Sequence, residues 1–334
     1  MKDPVVPRGE ATPVRLPAGR AKTRALVIAG PTASGKSALA LAVAERFDGV
    51  VINADSMQLY RELKVLTAQP DEKALARVPH RLYGILGSHE ACSAGRWRAI
   101  ALKEIEAAVR AGMLPILVGG TGLYIKVLIE GLAPIPETPE KVRAAARKLH
   151  ARLGGAAFHE ALARRDPETA RRLEPGDSQR LVRAWEVLEA TGRSLASWQR
   201  AQGPGAPPGL EFKTLLFDPP RSELYGACDA RFARMIENGA LDEVAALDRL
   251  KLDPRLPAMK AVGVKELLGF LHGELELEEA RERAQRATRN YAKRQVTWFR
   301  RQMRADRVVR AQYSESFSEE IFSFILKLSL TRDR

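Results

Sequence analysis

GPTASGKS, residues 30–37, lies between the apolar run Ala25 to Ala29 and the alanine- and leucine-rich stretch ALALAVAERF, residues 38–47. Strand, loop and helix in that order, with the spacing G-x-x-x-x-G-K-[ST], make a phosphate-binding loop. Gly30 and Gly35 let the backbone turn so that successive N–H groups, through Thr32, Ala33 and Ser34, face inward. Lys36 adds a full charge, and the Ser37 hydroxyl can ligate Mg2+. The alternative, a glycine turn beside a surface lysine, would not require these flanks. The loop reports a diphosphate or triphosphate. It does not report what that phosphate is attached to.

Working outward, LVIAG (26–30), GVVINAD (49–55) and LPILVGG (114–120) are short apolar runs that each end at a turn, with helix-like sequence between them. Parallel strands buried on both faces read in this way. The expected fold class is α/β, a P-loop NTPase-like parallel sheet flanked by helices. Such sheets bind ligands at the carboxyl ends of their strands, where Asp55 and the pair Gly119 and Gly120 fall beside the phosphate loop.

After Gly131 the character changes to PIPETPEKVRAAARKL, in which Thr138 is placed to cap a helix and Pro139 to occupy its first turn. Residues 132–209 read as an all-helical insertion domain. DSQRLVRAWEVLEATG (177–192) puts Leu181, Trp185 and Leu188 on one face and Arg180 and Arg183 on another, with Gly192 as a stop. GPGAPPG (203–209) is a linker, and KTLLFD (213–218) reads as a strand returning to the α/β core. That core is expected over residues 25–131 and 210–310, with one long basic helix at 279–304. Residues 1–24, containing Pro4, Pro7, Pro13 and Pro17, read as a disordered basic tail, and 311–334 as a tail of uncertain structure.

The 334 residues are 45% hydrophobic, enough for a large core, and carry a formal charge of +13 with a pI near 9.9. Such an excess attracts a polyanion and points to a nucleic acid as partner. Cys92 and Cys228 alone supply neither a disulfide framework nor a C-x-x-C metal site. No run approaches the roughly 18 apolar residues of a membrane span. A soluble, cytoplasmic protein is expected.

Asp55, in ADSMQLY, closes an apolar strand next to the phosphate loop. It could hold Mg2+, act as a general base, or cap the residues after it. Thr121, in LVGGTGLY, could offer its hydroxyl to a ligand or cap a helix beginning at Leu123, and the local context favours the cap. LPILVGG ends in glycine where a nucleotide hydrolase often carries an acid, which argues against ATP hydrolysis. Arg180 and Arg183, with Arg289, Lys293, Arg294, Arg300 and Arg301, are candidates for phosphate-backbone contacts or for solvated helix faces. Tyr291, Trp298 and Phe299 interleave with them at spacings equally suited to core packing.

Taken together, GPTASGKS, ADSMQLY, PHRLYGI, LVGGTGLYIKVLIEGL, DPETARRLEPGDSQRLVRAWEV, RFARMIENGALDEV, AVGVKEL and RNYAKRQVTWFR resemble, in order from about Leu26 to Arg301, the tRNA dimethylallyltransferase (IPP transferase) family. The glycine-pair segment combined with AKRQVTWFR is the most specific part. The resemblance implies transfer of a dimethylallyl group to N6 of adenosine 37 in the anticodon stem-loop of tRNAs that read codons beginning with U. The loop residues Gly30, Thr32, Ala33, Ser34, Gly35, Lys36 and Ser37 would then hold the diphosphate of dimethylallyl diphosphate with Mg2+, rather than a nucleotide. By resemblance Asp55 is the catalytic base, Thr121 a hydroxyl where adenine and prenyl group meet, and Arg231 an arginine near the diphosphate. Asp55, Ser56, Met57, Gln58, Thr121, Arg143, Gln179, Arg180, Leu181, Val182 and Arg183 match stretches that touch tRNA. A monomer is implied.

The chain departs from the family's pattern at Leu66, Thr67, Ala68, Gln69 and Pro70, where G-T-A-K-P is usual, and at Val264, where an aromatic ring is usual. Glu174, Pro175, Gly176 and Asp177 replace H-P-N-D. Two other classes compete. A metabolite kinase explains the phosphate loop but not the basic last helix, and a non-catalytic RNA-binding module explains the charge but leaves the loop and Asp55 idle.

Overall fold

The structure is a computed structural model that describes residues 23–201, 205–314 and 318–327. Most of the tail expected at 1–24 lies outside them, but Thr23 and Arg24 already belong to the first strand. The chain divides into one unit of the described residues up to Ile129 and from Ala206 onward, and a second unit, Glu130–Gly205.

In the first unit, β1 (Thr23–Ala29), β2 (Gly49–Asn53), β3 (His80–Arg81) and β4 (Leu114–Gly119) alternate with α1 (Lys36–Arg46), α2 (Glu72–Arg77), α3 (Ala94–Arg110) and α4 (Gly122–Glu130). The second unit holds α5 (Glu140–Arg165), α6 (Pro167–Ala170), α7 (Ser178–Thr191) and α8 (Leu195–Arg200). The chain then adds β5 (Leu210–Phe217), α9 (Arg221–Glu237), α10 (Ala240–Arg249), α11 (Val264–Leu271), α12 (Leu277–Gln302), β6 (Arg307–Val309) and α13 (Ser318–Lys327).

The strands form one six-stranded sheet in the order β3-β2-β4-β1-β5-β6, every pair parallel. Ala25 to Ala29 are wholly buried, as are nearly all of β2 and β4, which is why each reads as an unbroken apolar run. On one face, Trp97, Ala101 and Ile105 of α3 pack with Leu128 and Phe299. On the other, Leu39, Ala40, Val43 and Ala44 of α1 pack with Ile321 and Ile325 of α13. The apolar residues of α3 recur at helical spacing, and the Ser93 hydroxyl caps it by accepting the Arg96 N–H at 3.1 Å. Sequence reading left residues 318–327 unassigned. Their partners, including Phe47, whose ring meets Phe322 edge-on at 5.6 Å, lie far back in the chain.

Register sets the site. Ala29 pairs with Gly119 on one side and Leu216 on the other, and Asn53 pairs with Val118. The carboxyl ends of β1, β4 and β5 are therefore level, with Ala54 and Asp55 beside Gly119. A Cβ on Gly119 would fall 2.2 Å from the backbone carbon of Ala54, so only glycine lets the two chains approach this closely.

In the helical unit, Phe158, Leu162, Leu181, Ala184, Val187 and Leu195 form the core. Gly192, at φ 65°, ends α7 as its sequence indicates. Thr138 does not cap α5. Pro139 is the residue preceding the helix, and the buried Thr138 hydroxyl accepts a hydrogen bond from Arg183 at 2.9 Å. α5 is broken at Gly154, φ 74° and ψ 169°.

Candidate active site

Gly35 has φ 84°, a left-handed conformation that lets α1 start with its N–H groups toward the loop. Lys36 is 8% exposed, and its ammonium donates to the Pro31 carbonyl at 3.0 Å. Burial, with Arg231 nearby, outweighs the attraction of Asp55 and Cys228 and lowers the Lys36 pKa to about 8. Ser34 Oγ is buried without a hydrogen-bond partner, while Ser37 is exposed. The loop is covered from above. Ala33 packs against Leu224 and Cys228 of α9 and Ala292 and Val296 of α12. Tyr313 lies across Gly35 and donates its backbone N–H to the Ser34 carbonyl at 3.3 Å.

Asp55 is held by its neighbours. The buried Asn53 side chain accepts the Asp55 N–H at 2.7 Å and donates to the carbonyls of Asp55 (2.9 Å) and Leu82 (3.0 Å). The Trp97 indole donates to the Asn53 carbonyl at 3.1 Å and stacks on Tyr124 at 4.5 Å. Asp55 Oδ1 accepts the Met57 N–H at 3.0 Å, so one oxygen caps the short turn Met57–Leu59, and Oδ2 takes no part in that turn. The carboxylate raises the pKa of Lys36 and Arg231 against a stronger lowering by burial. It also adds to the rise that burial causes at Tyr83, Tyr124 and Tyr291.

The Thr121 hydroxyl does not cap α4, which closes instead on the Thr121 carbonyl through the Tyr124 N–H at 2.9 Å. Because β2 and β4 end level, that hydroxyl reaches across to accept the Ser56 N–H at 2.9 Å and stands 3.2 Å from the Ser56 hydroxyl. Arg231, half-buried on α9, donates to the Thr67 carbonyl at 3.3 Å. The structure thus gathers Lys36, Asp55, Ser56, Thr121 and Arg231 at the carboxyl edge of the sheet.

The departing segment around Gln69 is built from within. Gln58 Nε2 donates to the carbonyls of Thr67 (2.9 Å) and Ala68 (2.8 Å), and Gln69 Nε2 to those of Tyr60 (2.7 Å) and Leu63 (3.2 Å). Glu243 accepts the N–H groups of Val65 and Leu66 at 2.7 and 2.9 Å. Gln69 therefore braces this loop. A groove of about 380 Å3 runs beside it, lined among others by Ser37, Gln58, Gln69, His80 and Tyr83. Val264 is wholly buried and fills its place as core.

Of the helical-unit residues expected to face RNA, Gln179 and Arg180 are exposed and Arg143, Val182 and Arg183 partly so. Arg143 pairs with Glu137 at 3.7 Å, Arg180 with Asp177 at 3.1 Å, and Arg183 with Glu186 at 3.4 Å. Leu181 is a correction: its side chain is 0% exposed, turned into the core by the helical spacing that exposes Arg180. On α12, Arg289 is paired with Asp229 and Arg300 with Asp218, while Lys293, Arg294 and Arg301 are exposed. Phe299 is core, and the Trp298 ring lies where a Cβ on Gly122 would come within 2.1 Å of it.

Sequence reasoning missed Asn53, Trp97 and above all Gln295, which hydrogen-bonds the phosphate loop. Its signal was present in the pattern. Ala280, Ala284, Thr288, Ala292, Gln295 and Phe299 form the buried stripe of α12, and an amide there needs polar partners.

Among the described residues no group of three His, Cys, Asp or Glu side chains could hold a metal ion. Mg2+ needs none when phosphate and water supply most of its ligands. The exposed Ser37 hydroxyl at the start of α1 fits one remaining position, and the unpartnered Ser34 hydroxyl fits a loop awaiting an anion.

Fold and site define a phosphate-loop α/β protein whose loop is roofed by its own later helices and shares its edge of the sheet with a carboxylate and a half-buried arginine. The chain belongs to the IPP transferase family, whose model matches residues 58–302. It is 61% identical over 282 residues to the tRNA dimethylallyltransferase of Rhodospirillum centenum, covering 84% of this chain and 90% of that one. Identity to the enzyme of the same name from Paramagnetospirillum magneticum is 55% over 309 residues, 92% and 98% of the two chains. The crystal structure of a tRNA delta(2)-isopentenylpyrophosphate transferase from Staphylococcus epidermidis matches with a TM-score of 0.64 at 32% identity, over 92% of this chain and all of the other. A eukaryotic dimethylallyltransferase acting on tRNA matches with a TM-score of 0.77 at 25% identity, over 92% and 79%. Among the described residues no helix is long and apolar enough to cross a membrane.

Proposed function

We propose that this chain transfers a dimethylallyl group from dimethylallyl diphosphate to N6 of adenosine 37 in tRNAs that read codons beginning with U, releasing diphosphate. One observation carries the reading: a phosphate loop and a carboxylate share one edge of the sheet, close enough that Asp55 acts on both Lys36 and Arg231. One end of such a site suits a leaving diphosphate and the other a proton on nitrogen.

The N6 lone pair is delocalised into the purine ring, so the amine is a poor nucleophile. As N6 bonds to the allylic carbon, the carbon–oxygen bond to diphosphate breaks and Asp55 takes the N6 proton, a contribution of about 10²- to 10⁴-fold for a positioned base. Negative charge grows on the diphosphate, where the loop N–H groups, Lys36 and Arg231 meet it. Mg2+, held by diphosphate oxygens, water and Ser37, would neutralise part of that charge. The base must leave the anticodon-loop stack to reach Asp55. Ser56, Met57, Gln58 and Thr121 border the carboxylate. Arg143, Gln179, Arg180, Val182 and Arg183 supply the helical unit's RNA contacts, with Leu181 beneath them as core. The protein acts as a monomer in the cytoplasm, and the helical insertion serves tRNA binding.

The test is purified protein with dimethylallyl diphosphate, Mg2+ and unmodified anticodon stem-loop, with and without ATP. Prenylated RNA without ATP is expected, ATP acting at most as a competitor for the loop. Transfer that requires ATP, or ATP turnover without prenylated product, overturns the proposal.

A further inference from the structure

We infer that Gln295 is a positioning residue that sets the separation between the donor's phosphate loop and the acceptor side of the site, an inference that rests on the transfer reaction proposed above. Gln295 is 6% exposed on α12. Its Oε1 accepts the Thr32 N–H at 2.8 Å and its Nε2 donates to the Gly120 carbonyl at 2.9 Å. The two partners are a donor and an acceptor, so they dictate which way the amide points.

These two backbone groups lie just beyond the ends of β1 and β4. The ladder joins those strands as far as Ala29 and Gly119. Beyond it, one buried amide bridges the two segments. Gly120 is shaped to admit it, since a Cβ there would sit 2.3 Å from Gln295 Nε2.

What the amide joins gives the contact its consequence. Thr32 belongs to the loop that takes the diphosphate. Gly120 precedes Thr121, whose hydroxyl holds the Ser56 N–H, and Ser56 follows Asp55. Three hydrogen bonds, joined through the backbone step from Gly120 to Thr121, therefore connect the leaving-group cradle to the turn that carries the carboxylate. Transfer between two bound reactants depends on their separation, and a misplacement of about 1 Å costs about 10²-fold.

Gln295→Met keeps length and volume while removing both hydrogen bonds. The full chain is assayed for kcat, for donor and RNA affinity, and for the ratio of diphosphate released to RNA prenylated. Expected is a fall in kcat of about 30- to 100-fold with both affinities within about threefold, and a raised ratio as water takes the allylic group in place of N6, giving dimethylallyl alcohol. A purely structural role would lower the melting temperature without changing that ratio in the molecules that remain folded. Should Gln295→Met not fold, Gln295→Glu, which keeps the acceptor for Thr32 but cannot donate to Gly120 when ionised, gives the same readouts. An active wild type alongside a variant of unchanged kcat and ratio, or one altered in donor affinity alone, overturns the inference. A wild type that prenylates no RNA overturns the transfer reading and this inference with it.

Discussion

Thr121 Oγ1 accepts the backbone N–H of Ser56 at 2.9 Å, so a hydroxyl past the end of β4 holds the turn that follows β2 and carries Asp55. Thr121→Val preserves shape and leaves that N–H unpaired, at a cost of about 1–3 kcal/mol. Denaturant unfolding measures the loss. Turnover should fall with it, and Thr121→Ser should restore both.

Asp55→Asn separates the carboxylate's two jobs. The amide oxygen still accepts the Met57 N–H that Oδ1 accepts now, so the turn survives, but the base is gone. Turnover should drop by about 10²-fold or more, with RNA affinity within a few fold. Single-turnover assays and RNA binding measure the two separately, and an active variant removes Asp55 from the mechanism.

Lys36 gives the site a pH dependence. Its pKa is lowered from 10.5 to about 8, chiefly by burial, so the folded protein loses this charge as pH rises through about 8. Donor affinity should be full below that pH and weaken above it, by at most about tenfold per unit. Between about pH 8 and 10.5 the unfolded chain holds the proton that the folded chain has lost, so this residue's contribution to stability rises with pH there. Donor titrations from pH 7 to 9.5 measure the first effect, and Lys36→Arg, charged throughout, should flatten it.

Gly119→Ala tests the close approach of β2 and β4. The new Cβ would meet Ala54 backbone at 2.2 Å, and backbone inside a sheet cannot swing aside as a flexible side chain can. Destabilisation of about 1–3 kcal/mol is expected, with turnover reduced because Asp55 follows Ala54. An unchanged denaturation midpoint would show that the strands separate freely.

Short-range pattern alone determined much of this protein. The spacing of Gly30, Gly35, Lys36 and Ser37 declared the phosphate loop, the apolar runs LVIAG, GVVINAD and LPILVGG declared buried parallel strands, and Gly192 marked a helix end. These features depend on neighbours within a few residues, so they are written locally. Tertiary structure decided which polar group meets which. Thr121 looked like a cap and instead holds Ser56, Thr138 looked like a cap and instead accepts from Arg183, and Gln295, which the sequence reading passed over, joins Thr32 to Gly120. Each pairing joins residues far apart in the chain. A hydroxyl or amide carries no mark of its partner until strand register and helix packing bring the two within 3 Å and exclude the water that would otherwise satisfy both.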